Sequence, residues 1–232
     1  MLTLLLAAAA AAPFQTQQKT PDLTFQYSWP AEATAIPALR TQLIAQMNHD
    51  RARYAKMAAQ DRQSRAKDSF PFHQYEFSRR LHYGGQSSRL ASFADDRYAF
   101  TGGAHGNPGT SALLWDKATS RAVKFADLFT RAPGPLFQQA YCKRLTEQRK
   151  KKLGGDGSSP AIWDACPDPM KLAVIPEDKN RNGRFETINV TASPYDVGSF
   201  AEGYYIVMVP MTRALLSALK PPYRASFEAQ PQ

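Results

Sequence analysis

The segment Pro37–Lys67, PALRTQLIAQMNHDRARYAKMAAQDRQSRAK, has no glycine or proline after its first residue. Its apolar side chains recur at spacings of three, four and seven residues, at Leu39, Leu43, Met47, Tyr54 and Met57. This period is typical of an amphipathic helix with a single apolar face. The charged residues of the remaining faces are mostly Arg and Lys, which suit contact with solvent. We therefore predict one long N-terminal helix that packs against a sheet.

Strands are predicted on both sides of this helix. Leu23–Trp29 (LTFQYSW) alternates apolar with polar side chains, which is typical of a half-buried strand. Further predicted strands are 72–81, 88–101 with a break at Asp95-Asp96, 110–116, 122–124, 171–175, 185–192 and 203–209. Helices are also predicted at 135–152 and 212–219, and the first of these ends in basic residues that favour a helix C-terminus. This order predicts an α+β fold, in which mostly antiparallel sheet packs against the long N-terminal helix and a second, mid-chain helix.

Residues 1–12, MLTLLLAAAAAA, combine an apolar core with small residues before Pro13. This composition is typical of a secretory signal peptide, although the positive n-region is missing; the alternative is a buried N-terminal helix. Because a polar, Gln-rich stretch follows at once, we predict a signal peptide over 1–12 and a flexible lead over 13–22. The mature protein is then expected to be periplasmic or secreted.

The chain has 232 residues, enough for one large domain or two small ones, and a formal charge of +9. A basic surplus suits nucleic acid, anionic lipid or anionic wall polymers, although charge on helical faces also serves for solvation alone. Export argues against nucleic acid as a partner. After the first dozen residues, no apolar run approaches the roughly 18–20 residues that cross a bilayer, so we expect no membrane span.

Cys142 and Cys166 are the two cysteines of the chain. In an oxidising compartment, a lone pair of cysteines is most simply one structural disulfide, worth about 2–4 kcal/mol. A catalytic thiolate paired with histidine is the alternative, and neither cysteine lies in a Gly-rich or His-flanked segment. We therefore predict a Cys142–Cys166 disulfide.

The most unusual segment is Thr101-Gly-Gly-Ala-His-Gly-Asn-Pro-Gly109. Its glycines allow positive φ and a close approach of the backbone, so the loop could present N–H groups to an anion with His105 as a proton carrier. The alternative is a tight connection between strands in which His105 is hydrogen-bonded. The segment matches neither a P-loop nor a dinucleotide-binding fingerprint, and we predict no cofactor.

The segment that begins at Asp178 places oxygen-bearing side chains at Asp178, Asn180 and Asn182, before Gly183, as the first half of a calcium loop does. The position of the twelfth ligand, however, is occupied by Asn189 instead of glutamate. Asn-Gly between two strands also predicts a hairpin connection, which we favour over calcium. The four histidines are scattered without zinc-type spacing, so we predict no metal site.

Three segments together resemble a known family: Tyr98–Asn107 (YAFTGGAHGN), Trp115–Phe129 (WDKATSRAVKFADLF) and Ser193–Gly203 (SPYDVGSFAEG). They are similar to the RsiV/PdaC-type extracytoplasmic domains, which occur in the anti-sigma factor RsiV and beside the catalytic domain of the peptidoglycan deacetylase PdaC. The resemblance implies a PdaC-like N-terminal part over 23–107, an RsiV-like C-terminal part over 108–220 and a tail over 221–232.

What the resemblance implies about function is a binding role without catalysis. The corresponding region of RsiV binds lysozyme, whereas the deacetylase chemistry of PdaC belongs to a separate domain whose metal-binding motifs are missing here. We therefore expect an exported binding module whose partner is an envelope protein or a cell-wall, peptidoglycan-like glycan. The candidate ligand-binding residues are His105, Asn107, Tyr195 and Asp196. The alternative is an envelope hydrolase in which Asp196 orients His105, which requires these two side chains to lie within hydrogen-bonding reach.

Overall fold

The computed structural model describes residues 11–131, 133–155 and 161–230, so most of the predicted signal peptide lies outside the described residues. A six-stranded sheet has the order β1-β2-β3-β4-β5-β6, and a three-stranded sheet has the order β7-β8-β9. The strands are β1 (Phe14–Lys19), β2 (Leu23–Trp29), β3 (Tyr75–Gln86), β4 (Leu90–Phe100), β5 (Asn107–Asp116), β6 (Arg121–Val123), β7 (Ala173–Glu177), β8 (Thr187–Ala192) and β9 (Tyr205–Pro210). The α-helices are α1 (Ala31–Thr34), α2 (Pro37–Lys67), α3 (Gly134–Leu153), α4 (Ala161–Asp164), α5 (Arg213–Ala218) and α6 (Pro221–Arg224).

In the six-stranded sheet, β2 and β3 pair in parallel, while the other neighbours pair antiparallel. Parallel neighbours cannot be joined by a tight turn, because the chain must return to the same end of the sheet. The long helix α2 provides that return. The three-stranded sheet is antiparallel throughout. The predicted α+β class with mostly antiparallel pairing is therefore confirmed.

Helix α2 covers one face of the six-stranded sheet. Of its predicted apolar stripe, Leu39 and Leu43 are buried, and Met47, Tyr54 and Met57 pack partly buried against the same core. The sheet contributes aromatic side chains from alternate positions, namely Phe25, Tyr27, Trp29, Tyr75, Phe77, Phe93 and Trp115. Alternate residues of a strand point to opposite faces, so the intervening polar residues of β2 and β3 lie on the side away from α2.

A charged group is buried in the core between α2 and the six-stranded sheet. The guanidinium of Arg79 on β3 donates to both carboxylate oxygens of Asp95, at 2.6 and 2.7 Å, and to the hydroxyl of Tyr27 at 2.7 Å. Its distance to a carboxylate oxygen of Asp50, on α2, is 3.7 Å. Burial disfavours the charged form of Arg79, but Asp95 and Tyr27 outweigh this effect and raise its pKa. The network connects the helix to three residues of the sheet.

The second core lies between the three-stranded sheet and α3. Phe137, Tyr141 and Leu145 of α3 are buried together with Val190 of β8 and Val207 of β9. Leu90 and Leu114, on the face of the six-stranded sheet opposite α2, also belong to this core. The predicted disulfide between Cys142 and Cys166 is present, with Cα atoms 5.7 Å apart, and ties α3 to the segment that follows α4.

Three segments differ from the sequence-based expectations. Where a flexible lead was expected over 13–22, β1 pairs with β2 along its length, and the ring of Phe14 stacks on Trp29 at 3.9 Å. β4 runs through the expected break, because its two aspartates have partners on neighbouring strands. The expected tail over 221–232 contains α6 and the buried Phe227, which pairs with Phe185. Contacts with residues distant in sequence therefore hold both β1 and the segment around Phe227 against the rest of the fold.

The six-stranded sheet crosses the expected division at residues 107 and 108, since β5 pairs with β4 from Asn107 onward. The division into an N-terminal and a C-terminal part stays a prediction. Among the helices of the described ranges, none combines the length and the apolar composition needed to cross a bilayer.

Replacing Arg79 with methionine should lower the free energy of unfolding by about 3 kcal/mol, because it leaves the buried carboxylate of Asp95 without its main partner. Urea denaturation followed by circular dichroism measures this change. The matched control is Arg80→Met, an exposed neighbour on the opposite face of β3, which should change stability by less than about 0.5 kcal/mol. Equal stability of the two variants would contradict a stabilising role of the network.

Candidate functional site

Two loops that are distant in sequence meet beside the two sheets. The first, 101–106, joins β4 to β5, and the second, 193–204, joins β8 to β9. The ring of His105 stacks on that of Phe200, with centroids 4.0 Å apart and planes inclined by 23°. The Tyr195 hydroxyl lies 3.4 Å from Nε2 of His105. We call His105, Tyr195 and Phe200 the aromatic cluster.

The hydrogen bonds of His105 define which ring nitrogen carries the proton. Nδ1 lies 2.9 Å from the carbonyl oxygen of Gly106, which can only accept, so Nδ1 must donate. Nε2 is then the acceptor in a neutral ring, and the Tyr195 hydroxyl donates to it. Both nitrogens have partners, which orients the imidazole and holds it against the two aromatic rings.

Of the four candidate residues, the structure brings His105 and Tyr195 together and places the other two beside them. Asn107 begins β5, opposite Ala99, with an exposed side chain. The carboxylate of Asp196 accepts a 2.7 Å hydrogen bond from the backbone N–H of Ser193. In the described part of the chain, no hydrogen bond joins Asp196 to His105. The contact that the hydrolase alternative requires is therefore not formed, and a role in ligand contact stays a prediction for all four residues.

The loop that contains Tyr195 adopts a backbone conformation that is unfavourable for a bulky residue. Tyr195 has φ +75°, in the left-handed region. Its backbone N–H donates to Gly198, and its carbonyl accepts from the indole N–H of Trp163 at 3.2 Å. A Cβ atom at Gly198 would collide with a carboxylate oxygen of Glu202, so a larger residue there would require Glu202 to move. These contacts hold Tyr195 with 53% of its surface exposed.

The C-terminal end of α3 anchors the same loop. Arg149 is 4% exposed, and its guanidinium donates to the carbonyl oxygens of Trp163 at 2.6 Å and Val197 at 2.7 Å. Lys152 donates to the carbonyl of Glu202 at 2.7 Å. Arg149 and Lys152 therefore hold the loop in position. This role goes beyond the favourable interaction of basic residues with the helix dipole that the sequence predicted.

Glu202 stabilises the loop from within. Its carboxylate accepts from the hydroxyl of Tyr205 at 2.5 Å and from the backbone N–H of Ser199 at 2.7 Å. Burial favours the neutral acid, but these hydrogen bonds outweigh burial and lower the pKa of Glu202. The ionised form is thus the one that the loop requires.

Comparisons with known proteins show what the chain resembles. The family model described as "Deacetylase PdaC" matches residues 16–108. Over these residues the chain is similar to a PdaC-type domain. A DUF3298 family protein from Bacteroides fragilis has 15% identity and a TM-score of 0.60, and the match covers 92% of this chain and 95% of that one. A DUF3298 family protein from Pseudomonas aeruginosa has 14% identity and a TM-score of 0.56, with coverage of 95% and 98%.

These comparisons confirm the expected resemblance. At such low identity, the two solved structures show a shared fold and nothing about ligand or activity. No curated protein matches the sequence. The matched segment ends within β5 and includes His105, whereas Tyr195 and Phe200 lie outside it. The aromatic cluster is therefore built from residues inside and outside the matched segment.

The segment considered for calcium forms the connection between β7 and β8, as the hairpin prediction requires. The two carboxylate oxygens of Asp178 accept from the backbone N–H groups of Asn182 at 3.1 Å and Gly183 at 2.9 Å. The side-chain amides of Asn180 and Asn182 each donate to Glu228 at 2.7 Å, which lowers the pKa of Glu228. These hydrogen bonds account for the shape of the loop. The described residues contain no group of three or more His, Cys, Asp or Glu side chains placed to hold a metal ion.

Sequence reasoning missed two features of this region. Arg149 follows Tyr141 and Leu145 at intervals of four residues, so helical spacing alone could have placed it on the buried face. The second feature is a cleft of about 570 Å³ between the two sheets, on the face of the six-stranded sheet opposite α2. We call it the inter-sheet cleft. Its walls come from strands far apart in the chain, and no local pattern marks it.

Replacing Arg149 with methionine should lower the free energy of unfolding by about 2–3 kcal/mol, because two carbonyl groups lose a charged donor. Urea denaturation measures the loss, and Trp163 fluorescence should show greater solvent exposure in the folded variant. Lys150→Met, an exposed neighbour on α3, is the control and should behave like the wild type. Indistinguishable stability of the two variants would contradict the anchoring role.

The lowered pKa of Glu202 predicts a pH-dependent contribution to stability. Its ionised form stabilises the fold above the ordinary glutamate pKa of 4.5, and this stabilisation is lost as the pH falls through the lowered value. Melting temperatures of the wild type and Glu202→Gln, recorded from pH 7 to pH 3, test this. The wild type should be the more stable at pH 6, and the difference should shrink below about pH 4.5. A constant difference over the whole range would contradict the assignment.

Proposed function

We propose that this protein is an exported, non-catalytic binding module of the bacterial cell envelope. The aromatic cluster would contact an envelope protein or a peptidoglycan-like glycan. The observation that carries the proposal is the exposed ring of Tyr195 beside His105 and Phe200, held in place by two loops. Aromatic side chains with few rotatable bonds provide a large contact area at low entropic cost, and they are enriched in binding surfaces.

The support for binding is the rigidity of the cluster. Tyr195 is held by backbone hydrogen bonds in a conformation that costs about 1–3 kcal/mol and persists only where its surroundings compensate. Arg149 and the disulfide between Cys142 and Cys166 both restrain the segment around Trp163, which contacts Tyr195. A surface that is already ordered loses little entropy when it binds.

The support for export is chemical. Disulfides form and persist mainly in oxidising compartments, and Cys142 and Cys166 are bonded. The apolar leader over 1–12 is the second support, since it has the length and the small terminal residues of a signal peptide. Together they favour a periplasmic or secreted location.

A non-catalytic role agrees with the hydrogen bonds of the cluster. A general base oriented by a carboxylate would need Asp196 beside a ring nitrogen of His105. Nδ1 of His105 instead donates to a backbone carbonyl, and Nε2 is occupied by a tyrosine hydroxyl. The imidazole is thus positioned as part of a contact surface.

The test is a titration with soluble muropeptides and a pulldown from envelope extract. We expect saturable binding at micromolar concentrations, weakened about tenfold or more by Tyr195→Ala, the size typical of an aromatic hot spot. Ile44→Ala is the matched control, because Ile44 is an exposed apolar residue on α2, an element that does not contribute to the cluster. Absence of any saturable partner, or equal binding by the two variants, would overturn the proposal.

A further inference from the structure

The inter-sheet cleft is a concave surface lined by residues outside the aromatic cluster. One wall is the face of the six-stranded sheet opposite α2. The other wall is the face of the three-stranded sheet that points away from α3. Its volume of about 570 Å³ lies within the range of roughly 300–1,000 Å³ that small-ligand pockets occupy. Its lining includes Arg80, Asp96, Glu177, Asn189, Thr191 and Tyr204.

Both carboxylates of the cleft already have partners within the protein. Asp96 accepts from the Thr110 hydroxyl at 2.6 Å and lies 3.1 Å from Nε2 of His82. Glu177 accepts from the side-chain amide of Asn189 at 2.8 Å and lies 3.3 Å from Nζ of Lys179. The acidic groups of the walls are therefore engaged, and a cationic ligand would have to displace these partners.

Within the described part of the chain, the side chain of Arg80, unlike the two carboxylates, is free to bind a ligand. It lies on β3 directly opposite Asp96 in the register of the sheet, but that carboxylate is bonded to Thr110 and His82 instead. Across the described ranges of the chain, the Arg80 guanidinium has no hydrogen bond or ion pair, and the residue is exposed at the cleft. A guanidinium presents parallel N–H donors that match a carboxylate, so it can bind an anionic ligand in two-point contact.

The rest of the lining is rich in hydroxyl and amide groups. Gln26, Asn189, Thr191 and Tyr204 are groups of this kind, and Ile206 adds a small apolar surface. Burial raises the pKa of Tyr204, so its hydroxyl stays protonated and both donates and accepts hydrogen bonds. Sugar hydroxyls also donate and accept, and therefore complement such a lining better than a purely apolar ligand does.

The geometry argues against a peptide. Peptides that bind to sheets pair with an exposed strand edge and place alternate side chains in apolar pockets. The inter-sheet cleft is bounded by the faces of two sheets, whose backbone groups point along the sheet towards neighbouring strands. Of the lining residues, only Ala94, Pro108 and Ile206 have purely aliphatic side chains. We therefore expect side-chain hydrogen bonds and charge to select the ligand.

We propose that the inter-sheet cleft binds an acidic carbohydrate, with Arg80 contacting its carboxylate and the hydroxyl and amide side chains contacting its hydroxyl groups. This site uses residues outside the aromatic cluster and does not depend on the function proposed for that cluster. The carboxylate distinguishes this ligand from a neutral sugar, and the hydroxyl groups distinguish it from an acidic peptide.

The test uses a galacturonate tetramer as the probe, with a neutral galactose tetramer and a Glu-rich peptide as comparison ligands. Isothermal titration calorimetry measures the affinity for each ligand. Backbone amide chemical shifts locate the site, and perturbations should concentrate on β3 and β8. Binding of the galacturonate should weaken about tenfold in Arg80→Gln, the loss expected for a charge-assisted hydrogen bond. Arg80→Lys should lie between this variant and the wild type, because it keeps the charge without the two-point contact.

Two controls separate this proposal from the preceding one. Arg40→Gln removes an exposed arginine of α2, on the opposite side of the six-stranded sheet, and should leave galacturonate binding unchanged. Tyr195→Ala should leave it unchanged as well, since the aromatic cluster is a different surface. Absence of galacturonate binding at millimolar concentration, equal affinity for the neutral tetramer, tighter binding of the peptide, or an Arg80→Gln variant that binds like the wild type would each overturn the inference.

Discussion

The parallel pairing of β2 with β3 is the constraint on which the rest of this structure depends. It requires a long crossover, and α2 provides one that covers a single face of the six-stranded sheet. The Arg79 network secures that arrangement, because a buried guanidinium must retain its partners on the helix and the sheet. The opposite face of the six-stranded sheet then faces the three-stranded sheet, which packs directly against only part of it. The inter-sheet cleft lies between the two sheets where they do not pack directly.

The packing of the two sheets also determines where the aromatic cluster forms. One loop belongs to the six-stranded sheet and the other to the three-stranded sheet, so their meeting depends on how the two sheets pack. Gly106 packs directly against the ring of Tyr98, where a larger residue would collide. On the other side, Arg149 and Lys152 hold the carbonyl groups of the second loop. Of the three residues of the cluster, only His105 lies in the segment that matches the PdaC model.

The two candidate surfaces differ in chemistry. The aromatic cluster presents rings whose polar atoms have partners, which suits contact by area and shape. The inter-sheet cleft presents the Arg80 guanidinium, which has no partner among the described residues, beside hydroxyl and amide groups. This combination suits a hydrophilic anion. Tyr98 lines the cleft and supports the loop of His105, so the two surfaces adjoin at that residue. In the binding role proposed above, such neighbouring surfaces would contact different parts of one polymer or different partners.

The sequence by itself determined the elements whose signal is local. Helical spacing identified α2 and its buried stripe, alternation identified β2, and the two cysteines identified their disulfide. Only the tertiary structure decided that β1 pairs with β2 and that Tyr195 rather than Asp196 contacts His105. It also decided that Arg80 lies at a cleft without a partner among the described residues. Periodicity reports which way a side chain faces within its own element. It carries no information on which distant residue lies opposite, because that depends on how two sheets and two helices pack together.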